Sequence, residues 1–200
     1  MKEFWDERYS EKEFAYGARP NVFFKKQIDQ LKPGKILLPL EGEGRNAIYA
    51  ASKKWEVEAF DFSERAKENC LKEAAQKKLR INYTVSDALS YNSSSKFDAI
   101  ALLFAHLPSA TRNKFHSLLI EFLKPGGILI VQGFHPNQLS KGYKSGGPKN
   151  SDWLYELSQL KSDFKQLRQV LGEETETLLD EGKYHQGKAY VSNFIAQKKI

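Results

Sequence analysis

Between residues 35 and 133, short apolar, β-rich runs alternate with longer segments whose apolar residues recur at helical spacing. That alternation is the pattern of a parallel sheet covered by helices on both faces, and it constrains the fold more than any other feature. KILLPL at 35–40, VEAF at 57–60, INYTV at 81–85, FDAIALLF at 97–104 and ILIVQGF at 128–134 read as strands. Arg45–Lys54, Glu64–Leu79 and Ser109–Leu123 read as crossover helices, the last stopped by Pro125 and the glycines after it. Two further runs, Thr175–Leu179 and Ala189–Ala196, flank the turn-forming stretch DEGKYHQGK and predict a terminal antiparallel hairpin. The expected fold is α/β, a doubly wound, mostly parallel seven-stranded sheet ending in that hairpin.

Around this 35–133 core, Pro20 is placed to open a helix carrying Val22, Phe23, Ile28 and Leu31. The aromatic residues of 1–19 predict a leader that packs as a lid, because Trp5, Tyr9, Phe14 and Tyr16 would otherwise expose apolar surface. Residues 134–151, rich in glycine and lysine, read as a mobile loop, and 175–197 as the hairpin. The 200 residues suit one domain. The opening MKEFWDERYS is charged where a secretory signal is apolar, and no apolar run approaches a bilayer span, so a cytoplasmic location without membrane association is expected. Cys70 is the only cysteine, which rules out an internal disulfide and a cysteine-based metal site. The net charge of +6 comes from bases interleaved with acids, the pattern of a solvated surface more than of a nucleic-acid face.

The chemistry concentrates where the first strand runs into Glu41-Gly42-Glu43-Gly44-Arg45-Asn46-Ala47, a loose GxGxxG/A between strand and helix. Asp61 ends the second strand, where a carboxylate accepts hydrogen bonds from both hydroxyls of an adenosine ribose. A dinucleotide places its pyrophosphate on the helix N-terminus and is disfavoured beside Glu41 and Glu43. S-adenosylmethionine brings a sulfonium and an ammonium instead, with a single carboxylate for Arg45 or Arg8 to meet. The loop therefore favours S-adenosylmethionine, with S-adenosylhomocysteine as product. Histidines at the C-terminal edge of the sheet, His106 after the fourth strand and His135 after the fifth, are substrate-side candidates, whereas His116 reads as surface or boundary.

EGEGRNAIYAA, VEAFDFSERA, FLKPGGILIV, the leader WDERYSEKEFAYGARPN and the C-terminal stretches SGGPKNSDWLYELSQLKSDF and LLDEGKYHQGKAYV together resemble the class I, Rossmann-type S-adenosylmethionine-dependent methyltransferases. Within them the resemblance is to the tellurite-resistance and thiopurine methyltransferase-like branch, and it spans nearly the whole chain. It departs from the superfamily pattern at Leu38 and Leu40, which replace the usual acid and first glycine, so Glu41 or the Leu40 carbonyl is expected to hold the cofactor's amino end. The resemblance further implies Gly42 and Gly44 as the cofactor loop, Asp87 and Ala88 on the adenine ring, Phe62 against its edge and Phe104 under the methionine arm. It adds His185 on the substrate side, where Tyr16 of the leader, folding over the cofactor as part of the lid, is a further candidate. The implied activity is methyl transfer to a small acceptor, a thiol, selenol or oxyanion such as tellurite, without a nucleic-acid partner. The competing readings are an NAD(P)-binding reductase, which lacks a tolerant pyrophosphate loop, and a nucleic-acid methylase, which lacks the Asn/Asp-Pro-Pro-aromatic motif at Leu103–Pro108.

Overall fold

The computed structural model describes residues 2–11 and 13–200; Met1 and Lys12, both in the expected leader, lie outside the described residues. The element order is α1 (Lys2–Arg8), α2 (Val22–Ile28), β1 (Lys35–Pro39), α3 (Arg45–Ser52), β2 (Glu56–Asp61), α4 (Glu64–Gln76), β3 (Asn82–Val85), β4 (Phe97–Leu103), α5 (Ser109–Phe122), β5 (Leu123–Phe134), α6 (Asn137–Ser140), a 3-10 turn (Ser151–Trp153), α7 (Leu157–Asp163), β6 (Arg168–Glu181) and β7 (His185–Gln197). The strands form one sheet in the order β3-β2-β1-β4-β5-β7-β6. β1 to β5 pair in parallel, and β7 runs antiparallel between β5 and β6. This is the doubly wound fold that the periodicity predicts.

Both faces of the sheet are buried, and strand period two sorts the side chains between them. Leu37, Phe60, Ile100 and Leu129 pack under Phe115, Leu119, Tyr155 and Phe164 on the α5/α7 side. Ile36, Leu38, Ala59 and Ala99 pack under Phe24, Ala47, Ile48 and Cys70 on the α2/α3/α4 side. Strand order reverses between β1 and β4, so connections leave in opposite directions there and open a crevice at the C-terminal ends of the strands. Leu40 after β1 and Phe104 after β4 both adopt left-handed backbone, with φ of 51° and 53°, and turn the chain sharply on either side of that crevice.

Several expectations need correction. The hairpin strands are longer than the apolar runs suggest, because polar Asp180, Glu181, His185 and Gln186 pair across it and leave only Gly182–Tyr184 as the turn. His185 therefore begins a strand. α2 starts at Val22, not Pro20, because the Asn21 side chain accepts from the Phe24 amide and caps it. Residues 134–151 are tied down: Gln138 bonds Ser145 and the Gly146 carbonyl, and Ser145 bonds the Lys188 carbonyl on β7. His116 is fully buried between α5 and α7, because Asp163 offers its Nδ1 a partner at 2.8 Å. No helix among the described residues is long and apolar enough to cross a membrane, and none of their His, Cys, Asp and Glu side chains form a group that could hold a metal ion.

Candidate active site

A cavity of about 690 Å³ opens at the β1/β4 crevice, within the size range of small-molecule sites. Its floor and first wall are Leu40 to Glu43, Arg45, Asn46, Asp61 and Phe62; its second wall is Leu103 to Leu107, Phe134 and His185. Gly147, Pro148, Lys149 and Trp153 continue that second wall, and the leader crosses the top through Phe4, Trp5, Arg8, Tyr9, Tyr16 and Gly17.

Hydrogen bonds fix the first wall. The Glu41 carboxylate turns back onto the start of α3 and accepts from the amides of Asn46 at 2.8 Å and Ala47 at 2.9 Å. These are the orphan donors that a helix start would otherwise offer to an anion. Burial outweighs those bonds and pushes the Glu41 pKa up to about 7. Asp61 accepts from the Gly42 amide at 3.1 Å and the Ser63 amide at 3.0 Å, and burial raises it to about 6. Glu43 points to the leader, accepting from the Ala15 amide at 2.7 Å and from Asn69 at 2.9 Å, and desolvation raises it to about 7. A side chain at Gly42 would run into the Tyr9 hydroxyl at 2.7 Å, so the leader packs directly on the loop.

The cations are distributed differently from the sequence expectation. Arg45 is committed inside the protein, donating to the Glu181 carboxylate at 2.8 Å and to the Tyr16 carbonyl at 3.1 Å. Burial opposes ionisation of Glu181, yet the His185 hydrogen bond and the Arg45 charge hold its pKa down to about 2. Arg8 lies 4.0 Å over the Tyr184 ring, donates to the Tyr16 hydroxyl at 3.0 Å and lines the cavity. Lys149 is exposed at the mouth.

Of the residues singled out by sequence, Leu40, Glu41, Gly42, Arg45, Asp61, Phe62, Phe104, His106, His185 and Tyr16 line the cavity. Gly44 does not line it, but sits one turn behind as the N-cap of α3. Asp87 and Ala88 are not among the residues that line the cavity. The Asp87 carboxylate caps its own turn by accepting from the Leu89 and Ser90 amides, and Ala88 packs into the core beside Tyr91. His135 is also outside, its Nδ1 taken by the Asn137 amide and its ring against Tyr190. Of the expected 134–151 cover, Tyr143 is bound to Glu176 on β6 and Lys141 pairs with the same acid; Lys149 is the lysine of that segment that reaches the cavity. Sequence reasoning missed Glu181, Asn46 and Trp153. The signal for Trp153 was present, since it stands in the SGGPKNSDW stretch.

Residues 41–127 match the family of proteins described as "Methyltransferase domain". That match covers a little under half of the chain, from the glycine loop to the start of β5. S-adenosylmethionine is the cofactor of this family. Solved structures share this chain's fold at low identity. TehB from Haemophilus influenzae superposes with a TM-score of 0.75 and 17% identity, over 99% of this chain and 67% of that one. A SAM-dependent methyltransferase from Methanosarcina mazei gives 0.71 and 18%, over 91% and 99%. The N-methyltransferase NodS from Bradyrhizobium japonicum, in complex with S-adenosyl-L-homocysteine, gives 0.68 and 12%, over 98% and 97%. No curated protein sequence matches the chain.

Proposed function

We propose that this methyltransferase acts as one unit over residues 1–200, in the cytoplasm, and transfers the methyl group of S-adenosylmethionine to a small acceptor that is a soft nucleophile or an anion. The observation that carries the reading is the charge division of the cavity. Acids Glu41 and Asp61 lie on the glycine-loop wall, whereas the cations without an acidic partner among the described hydrogen bonds and ion pairs, Arg8 and Lys149, lie on the leader and the opposite wall. When bound, the cofactor supplies a methyl group already activated on a sulfonium.

The residues present fit it. Asp61 keeps lone pairs for the ribose hydroxyls beyond its two amide bonds, Phe62 offers an apolar edge for adenine, and Phe104 floors the methionine arm. Glu41 and the Leu40 carbonyl hold the ammonium end. Arg8 takes the carboxylate, a role that Arg45 is not free to fill. The protein's task is then alignment and exclusion of water by the aromatic leader. His106 has both ring nitrogens engaged and is held neutral, its pKa pushed down by burial to about 4, so it takes no proton from an acceptor. That favours acceptors already ionised at neutral pH, such as thiolates, selenolates and oxyanions including tellurite. His185 and Tyr16 border the acceptor space.

The test is turnover with S-adenosylmethionine across thiols, selenols, oxyanions and phenols, reading S-adenosylhomocysteine release, with calorimetry against NAD and NADP alongside. Release with ionised soft acceptors supports the reading. Binding of NAD or NADP in preference to S-adenosylmethionine overturns it.

A further inference from the structure

His106 stands out because it satisfies two separate pieces of backbone at once. Its Nδ1 lies 2.7 Å from the Trp153 carbonyl, and its Nε2 lies 3.1 Å from the Phe134 amide nitrogen. A carbonyl can only accept and an amide can only donate, so the chemistry of the partners assigns the tautomer: Nδ1 carries the hydrogen and Nε2 the lone pair. The ring sits between Phe134, at 5.7 Å, and Tyr155, at 4.9 Å, which leaves it no freedom to swing into the cavity. The two backbone pieces belong to different parts of the chain, the end of β5 and the 3-10 turn, and both Phe134 and Trp153 line the wall opposite the glycine loop.

We propose that His106 is a positioning residue of the acceptor wall: a neutral two-armed strut that sets the separation of Phe134 and Trp153, and with it the width of the space the methyl acceptor enters. This rests on the methyl-transfer reading of the cavity and adds to it a residue that shapes the acceptor pocket without touching the reacting atoms. The rest of the turn is built to take the load. Arg112 on α5 donates to the Asp152 carbonyl at 3.1 Å, and the Asp152 carboxylate accepts from the Ser109 amide at 3.0 Å, so the start of α5 holds the same turn from behind. The charged and titratable groups facing His106 are Arg112 from α5 and His185 from β7, and both disfavour a second positive charge on the ring. Protonation would also place a hydrogen on Nε2 against the Phe134 N–H, donor against donor, and open the strut.

The experiment is nitrogen-15 NMR of the histidine ring in the full chain, with and without S-adenosylhomocysteine, between pH 8 and 5. The expected result is a single Nδ1–H tautomer with no titration midpoint in that range. An Nε2–H tautomer, or a titration centred near the ordinary histidine value, overturns the proposal. His106→Gln keeps an acceptor near the Nε2 position and His106→Asn keeps a donor near Nδ1. Gln should therefore preserve slow exchange of the Phe134 amide while shifting the Trp153 indole resonance, and Asn should do the reverse, with at least a tenfold change in Phe134 exchange between the two. Equal behaviour of the two variants on both probes overturns it. None of these readouts depends on turnover, so a failed strut and a failed methyl-transfer reading are told apart by S-adenosylhomocysteine binding, which the strut leaves within about twofold in either variant.

Discussion

At the scale of single residues, the acids of the first wall combine burial with hydrogen bonds that burial overrides. Asp61 is nearly inaccessible, and its two amide bonds fasten the glycine loop to β2 while leaving the carboxylate facing the cavity. Asp61→Ala should weaken S-adenosylmethionine binding by about 1.5–3 kcal/mol, the scale for losing hydrogen bonds to a charged group, as read by calorimetry. With Glu41 raised to about 7 and Asp61 to about 6, both acids are partly protonated in the free protein below neutrality. A cation on the cofactor favours their ionised forms, so binding releases protons and affinity rises with pH between about 5.5 and 8, then levels off. Calorimetry in buffers of different ionisation enthalpy should detect that release near pH 7. S-adenosylhomocysteine, without the sulfonium charge, should show a shallower rise. Asp61 was legible because its spacing from the loop and its strand-end position follow from local order. The return of Glu41 onto α3 was not, because it depends on a left-handed turn at position 40, where the residue is a leucine and not the glycine that would announce it.

At the scale of elements, the leader and the hairpin turn form one fastening. Gly17 and Gly182 meet backbone to backbone, and a Cβ on Gly182 would collide with the Gly17 nitrogen and approach the Ala15 carbonyl to 2.7 Å. Gly182 also holds φ of 68°, so alanine there adds backbone strain to the collision. Gly187, at φ of 100° with open space around it, isolates the strain alone. Gly182→Ala should cost about 2–4 kcal/mol in urea unfolding and make residues 1–19 the first site of limited proteolysis, whereas Gly187→Ala should cost about 1–2 kcal/mol and leave the leader protected. Central strands such as FDAIALLF were legible because burial on both faces makes them continuously apolar. The hairpin was underread for the opposite reason: β6 is an edge strand with mostly exposed side chains, so its pairing rests on backbone bonds that leave no hydrophobic trace. The Arg45–Glu181 pair joins residues 136 apart, a separation that no local pattern encodes.

At the scale of the whole molecule, the net charge is +6, and many of the lysines are engaged in short-range pairs with acids, including Lys25–Asp29, Lys77–Glu73, Lys124–Asp98, Lys141–Glu176 and Lys183–Glu11. A polyanion should bind such a surface weakly, since each contact competes with an acid already in place. RNA binding measured at 50 and 200 mM salt should be weak at both, with no methyl incorporation; tight, steeply salt-dependent binding would point to a different acceptor class. The Glu41 cap carries this selectivity into the cavity itself. A carboxylate tethered five residues from the amides it occupies acts as a resident competitor, present at an effective concentration of about millimolar or more whatever the solution holds. Adenosine compounds that carry a phosphate chain must evict it from the helix start, and those that carry an amino acid need not. In a cell crowded with nucleotides, a chain so built should sort adenosine derivatives by the substituent at the end of the ribose, with a residue of its own sequence held where the wrong ligand would go.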